Sequence, residues 1–134
     1  MNEAEARAFV ARHHRGVLAT LKRDGRPQLS NVVYALDDDG RIKVSTTRDR
    51  AKARNLRRDP RASLAVQGDT WQEYLVVEGT AEVQDGNVLA DLRRVYEQVA
   101  GQPHPNWDEF DAAMRRDGRV LLAITIERLY PLDR

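Results

Sequence analysis

The chain has 134 residues, a net charge of +1 from 22 basic and 21 acidic side chains, and no cysteine. That length suits a single domain spanning residues 1–134, and the missing cysteine excludes disulfide scaffolds, thiolate metal sites and cysteine nucleophiles. The near-neutral balance argues against a nucleic-acid partner, and three scattered histidines, His13, His14 and His104, give no expectation of a metal site.

The N-terminus, Met1-Asn2-Glu3-Ala4-Glu5, is acidic and carries no secretory apolar segment, and no apolar run approaches a membrane span. A cytoplasmic protein without a membrane partner is therefore expected. A first helix is predicted over 3–13, with Ala6, Phe9, Val10 and His13 on one stripe. Gly16 opens a strand, Val17 to Lys22. Asp24-Gly25 turns into a second strand from Pro27 to Leu36, and Asp38-Asp39-Gly40 into a third, Ile42 to Thr47. A helix follows over 49–58, stopped by Asp59-Pro60. Strands four (62–67) and five (74–83) precede a helix whose apolar face holds Val88, Leu92, Val95 and Val99. Asn106 and Glu109 fit a capping box for a fourth helix, and the last strand runs from Arg119 to Glu127.

Six strands and four helices result. The first three strands pair through short turns, which favours a mainly β, antiparallel small barrel with peripheral helices over a doubly wound parallel sheet.

Charge is gathered at one place. Residues 48–61 hold seven basic and two acidic side chains, +5 in a chain of +1. The segment starts where strand three gives way to a helix, whose N-terminus presents unpaired N–H groups and partial positive charge. Acids are the usual occupants there, yet Arg48, Arg50 and Lys52 crowd it with only Asp49 opposing. A bound phosphate resolves the conflict. The plainer alternative is a solvated basic face, because Arg54, Arg57, Arg58 and Arg61 recur at helical spacing. Ser45, Thr46 and Thr47 close strand three just before this turn, placed either to meet the same phosphate or to cap the helix.

Strand two carries Gln28, Ser30 and Asn31 although it is expected to be central in the meander. Polar groups there need partners, from a heterocyclic ligand or from a neighbouring loop. Trp71 and Tyr74 lie in the connection between strands four and five, placed for a ligand, a subunit interface or a satellite core contact. Trp107 and Phe110 read as core. No nucleophile–base pair, glycine-rich phosphate loop or paired carboxylate is present, so an enzymatic activity needs a cofactor to carry the chemistry.

Three segments together carry a resemblance: Gly16-Val-Leu-Ala-Thr-Leu-Lys-Arg-Asp-Gly-Arg-Pro-Gln-Leu-Ser-Asn31, Arg50-Ala-Lys-Ala-Arg-Asn-Leu-Arg-Arg-Asp-Pro60 and Val77-Glu-Gly-Thr-Ala81. The chain resembles the pyridoxamine-phosphate-oxidase-like split β-barrel family over nearly its whole length. Within that family it is most similar to the actinobacterial deazaflavin (coenzyme F-420)-dependent reductases. The resemblance implies a homodimer with cofactor sites at the subunit interface. It puts the cofactor phosphate at the turn and helix bearing Arg50, Ala51, Lys52 and Asn55. It lays the ring along strands two and three, with Gln28, Asn31, Ser45 and Thr46 as contacts and Trp71 of the other subunit closing the site. The implied activity is hydride transfer from the reduced deazaflavin to a small electron-poor organic substrate, with Arg54 or Arg57 available to an acidic cofactor tail.

Two alternatives share the fold: an FMN-dependent oxidase or reductase of the pyridoxamine-phosphate type, and a non-catalytic flavin or deazaflavin carrier. Oxidases of that type use basic ligands from a C-terminal extension, whereas this sequence ends at Leu129–Arg134, just past the last predicted strand.

Overall fold

The computed structural model describes residues 1–133. Its elements are α1 (Glu3–Arg12), β1 (Arg15–Leu21), β2 (Pro27–Val33), β3 (Ala35–Leu36), β4 (Ile42–Thr47), α2 (Ala51–Arg58), β5 (Arg61–Gln67), β6 (Tyr74–Gln84), α3 (Leu89–Ala100), α4 (Trp107–Arg116) and β7 (Arg119–Tyr130). The strands form one sheet in the order β2-β1-β5-β6-β7-β4-β3, every neighbouring pair antiparallel.

Six strands were expected and seven are present, because the stretch Pro27–Leu36 breaks at Tyr34. Its backbone N–H still donates to the His14 carbonyl at 2.9 Å, in register with the β1–β2 pairing and at its last rung. Its side chain is fully buried, and the phenol donates to the Val10 carbonyl at 2.7 Å. The pairing partner ends where β1 begins at Arg15, and the large side chain, drawn under α1 by its bond to Val10, carries the chain off β1. The chain then meets β4 for only two residues, Ala35 and Leu36.

The expected three-stranded meander is corrected accordingly. β2 pairs with β1 alone and is an edge strand, alternating exposed and half-buried residues. β3 forms the opposite edge. Only Tyr34 separates the two edges in sequence, so the sheet must curl until they meet, which makes a split barrel. β7 joins the halves, pairing with β4 over Arg119–Ile124 and with β6 over Leu121–Tyr130. Gly79 sits at a bulge where a Cβ would collide with the Thr125 carbonyl, so the bend depends on glycine there.

The barrel interior holds Leu18, Ile42, Val44, Leu64, Val77, Leu122 and Ile124, closed by Ala6, Phe9 and Val10 of α1 and by Ala53 and Leu56 of α2. The α1 stripe and its Asn2–Glu5 capping box follow from sequence spacing. A second cluster lies outside the sheet, where Val88, Leu92 and Val95 and Phe110 of α4 pack on Ala35 and Leu121. This explains why Val120 to Ala123 are buried on both faces. Gly101 ends α3 in the left-handed conformation, and Asn106 caps α4 by accepting from the Glu109 amide at 3.1 Å.

α3 is also pinned electrostatically. Buried Asp37 accepts from Lys43 at 2.8 Å and from Arg94 at 3.1 and 3.2 Å. Burial pushes the Asp37 carboxyl up, but the hydrogen bonds from Arg94, Lys43 and the Asp38 amide outweigh it and hold the group far below the usual carboxylate range. No helix among the described residues is long and apolar enough to cross a membrane.

Candidate functional site

A cleft of about 680 Å³ lies on the outer face of the sheet, floored by Gly16, Val17 and Ala65 of β1 and β5. Gly16 and Ala65 add little bulk to this floor, and Val17, 37% exposed, rises from it. Gly16 has no room for a Cβ, which would stand 2.5 Å from the Ala65 carbonyl oxygen, so the close approach of β1 and β5 here depends on glycine. Asn31 and Val33 of the β2 edge line one side, and Tyr74 borders the cleft at the start of β6.

At one end the cleft meets Ser45 and Thr46 of β4, Arg50 and Lys52 at the start of α2, and Arg119 of β7. Arg50 is the N-cap residue of α2, in extended conformation, and makes no side-chain cap bond. No acid occupies the first turn. The Ala51, Lys52 and Ala53 amides therefore have no acceptor within the helix. Lys52 is partly desolvated, and the charges acting on it, Arg50 and Arg119, are both positive. Burial first, and these two neighbours second, lower its proton affinity below that of an ordinary lysine. The Nε of Arg119 is buried and has no hydrogen-bond partner. Three converging cations, free helix amides and an unpaired buried N–H make an anion site that the protein itself leaves unsatisfied.

The rest of the basic segment behaves differently. Arg48 is not part of the crowd at the α2 start: it binds Asp85 through Nε at 2.6 Å and Nη2 at 2.8 Å. Arg57 donates to the Arg48 carbonyl at 2.9 Å, and Arg61 pairs with Asp59 at 2.8 Å. Arg54, Arg57 and Arg58 line a separate groove of about 900 Å³ with Lys22, Arg23 and Asp24. It is roomier than the cleft, but part of its charge is committed: Arg58 donates to the Leu21 carbonyl at 2.6 Å and to Asn55 at 3.1 Å. It also lacks an apolar floor for a ring.

Of the residues singled out from sequence, Asn31, Ser45, Thr46, Arg50 and Lys52 converge on the cleft, and Ala51 begins the helix above it. Asn55 and Gln28 lie beneath α2 instead. Asn55 donates to the buried Thr20 hydroxyl at 3.1 Å, Thr20 donates to Gln28 at 3.3 Å, and Gln28 donates to Ser30 at 3.2 Å. Both amides thus have protein partners. Trp71, in the β5–β6 turn, is 85% exposed and does not line this chain's own cleft. Arg119 was missed. It follows a turn at Asp117-Gly118 and reads as an ordinary strand start; only the β4–β7 register, which places it opposite Thr47, brings it to the site.

A model of the pyridoxamine 5'-phosphate oxidase family matches residues 3–133. The chain is 32% identical over 128 residues to the F420H(2)-dependent biliverdin reductase of Mycobacterium tuberculosis, covering 93% of this chain and 84% of that protein. Among solved structures it resembles a conserved hypothetical protein from Mycobacterium tuberculosis, with a TM-score of 0.76 and 34% identity over 96% of this chain and 82% of that one. It shares its fold with an F420 reductase, with a TM-score of 0.69 and 23% identity over 92% of this chain and 94% of that one.

Proposed function

The chain belongs to the pyridoxamine 5'-phosphate oxidase family, and from that premise we propose that it is an oxidoreductase that binds coenzyme F-420 in the cleft. The carrying observation is the unsatisfied cation cluster at the α2 start, where burial and like charge act on Lys52. The residues fit a ring system with an anionic tail: the floor of Gly16, Val17 and Ala65 is apolar, and the positive charge stands at one end of it. The similarity to the F420H(2)-dependent reductase supports the deazaflavin over other flavins.

In this reading Arg50, Lys52 and the Ala51 and Lys52 amides hold the coenzyme's phosphate, with Ser45 and Thr46 hydroxyls beside it. Asn31 meets the ring edge from β2. Gln28 and Asn55 act from beneath by keeping α2 seated on β1. When bound in its reduced form, the deazaflavin supplies a hydride for an electron-poor double bond of a small organic substrate. The protein's share is to fix the ring against the sheet and to keep water from it. Arg54 and Arg57, which line the separate groove, are available to an acidic cofactor tail.

The site is completed by a second copy of the chain. The outer sheet face at the cleft exposes Val17, Val33 and Tyr74, with Leu29 further along β2, an apolar surface that a partner would cover. In this reading the partner's Trp71 closes the cleft.

Titration of the protein with coenzyme F-420 and with FMN, read by tryptophan fluorescence, tests the proposal. Tight F-420 binding, weaker FMN binding and loss of F-420 affinity by at least about ten-fold in Lys52→Ala are expected. FMN binding tighter than F-420 favours the flavin enzyme of the same fold. F-420 binding with no enone, nitro or tetrapyrrole acceptor reduced favours the carrier.

A further inference from the structure

Val33, Ser45 and Arg119 line not only the cleft but a second cavity of about 290 Å³. The other walls of this cavity are apolar: Leu92, Val95 and Val99 of α3, and Phe110 and Met114 of α4. Its volume is that of about ten liquid waters, room for a mono- or bicyclic body.

Arg119 is the cation of this cavity. Along β7, Val120 and Leu122 point into the barrel, while Leu121 packs outward against the α3–α4 cluster. Arg119 shares the parity of Leu121 and so emerges on the helix-covered face. Ser45 stands opposite Leu121 in the ladder, which puts its hydroxyl on the same face. The Arg119 Nε is buried and unpartnered. An unpartnered N–H on a residue that lines an apolar pocket, in a guanidinium suited to two-point carboxylate contact, points to what the pocket takes.

We propose that this pocket binds a flat, mainly apolar small molecule bearing one carboxylate, with its ring between α3 and α4 and the carboxylate on Arg119. It is a ligand site beside the proposed coenzyme cleft and does not depend on that reading. Arg50 and Lys52 serve the cleft from α2, whereas Arg119 of β7 lines both spaces. A molecule held at Arg119 borders the cleft at Val33 and Ser45, at the charged end where the coenzyme's phosphate is proposed.

The test uses the protein without coenzyme. ¹⁵N-labelled protein is titrated with 2-naphthoate and with the neutral 2-naphthamide, following backbone amide shifts. Naphthoate is expected to shift α3, α4 and the first residues of β7, and to bind at least about ten-fold tighter than naphthamide. Arg119→Gln, checked for folding by its spectrum, is expected to erase that preference. Val99→Phe narrows the pocket from a half-buried position and is expected to weaken both probes about ten-fold. Lys52→Ala is expected to leave naphthoate affinity within about two-fold while lowering F-420 affinity. Equal affinity for the two probes, shifts confined to α2 and β4, or loss of F-420 rather than naphthoate in Arg119→Gln would overturn the proposal. Failure of F-420 to bind, with naphthoate still selected through Arg119, contradicts the coenzyme reading alone.

Discussion

Arg119 stands directly opposite Thr47 in the β4–β7 ladder. One step past Thr47 the chain turns toward α2, so this pairing brings a cation from the C-terminal strand beside Arg50 and Lys52. Arg119 is far from the other two in sequence, and no carboxylate lines the cleft beside them. They crowd together because two surfaces end at the same corner of the barrel.

The crowding has a stability consequence. Lys52 has a lowered proton affinity in the folded state, so its charged form works against folding at neutral pH, and that cost fades as pH rises through its folded-state value. Lys52→Met should therefore make the ligand-free protein more stable, by about 0.5–1 kcal/mol. Pyrophosphate should raise the melting temperature of the wild type and not of the variant. Thermal melts with and without pyrophosphate check both.

Asn55 is a support rather than a contact in this arrangement. Asn55→Ala removes its bond to buried Thr20 and the acceptor of Arg58. A loss of about 1–3 kcal/mol is expected in urea unfolding. F-420 affinity should change by less than about three-fold, against ten-fold or more for Lys52→Ala.

The contrast between these two residues shows what the sequence revealed and what it did not. Arg50 and Lys52 were legible because helix capping is a local rule: basic residues in a first turn violate it wherever the helix packs. The Asp24-Gly25 and Asp38–Gly40 turns and the α1 stripe were legible for the same reason. Asn55 and Gln28 were readable as polar groups needing partners, but whether ligand or protein supplies them depends on Thr20, which reaches both only after α2 packs on β1. The break at Tyr34 was hidden because Pro27–Leu36 is an uninterrupted strand pattern. What interrupts it is the burial of the Tyr34 side chain under α1, where the phenol meets the Val10 carbonyl. Arg119 was hidden in the same way, by a pairing that spans 72 positions.

The Asp37 cluster predicts an acid limb. Its carboxyl is held far below the ordinary value, so its contribution is complete above about pH 4, the unfolded-state value, and declines as pH falls toward the folded-state one. Asp37→Asn leaves Lys43 buried with a weakened partner set and should cost about 3 kcal/mol at pH 7. The variant should also lose less stability than the wild type between pH 5 and pH 3. Urea unfolding across that range measures it.

The exposed strip on β1 and β2 predicts self-association. Leu29 is 62% exposed and belongs to neither core cluster. Leu29→Asp should leave the melting temperature of the isolated subunit within about 0.5 kcal/mol equivalent, yet convert a sedimenting dimer to a monomer and weaken F-420 binding with it. A wild type that sediments as a monomer at all concentrations contradicts this.

A crystal structure with oxidised coenzyme F-420 bound is the most direct measurement of all. The phosphate oxygens are expected at hydrogen-bond distance, about 2.7–3.2 Å, from Lys52 Nζ and from the amides of Ala51 and Lys52. A phosphate seated instead in the groove of Arg54 and Arg58, with the α2 N-terminus facing only water, would contradict the assignment of the cleft.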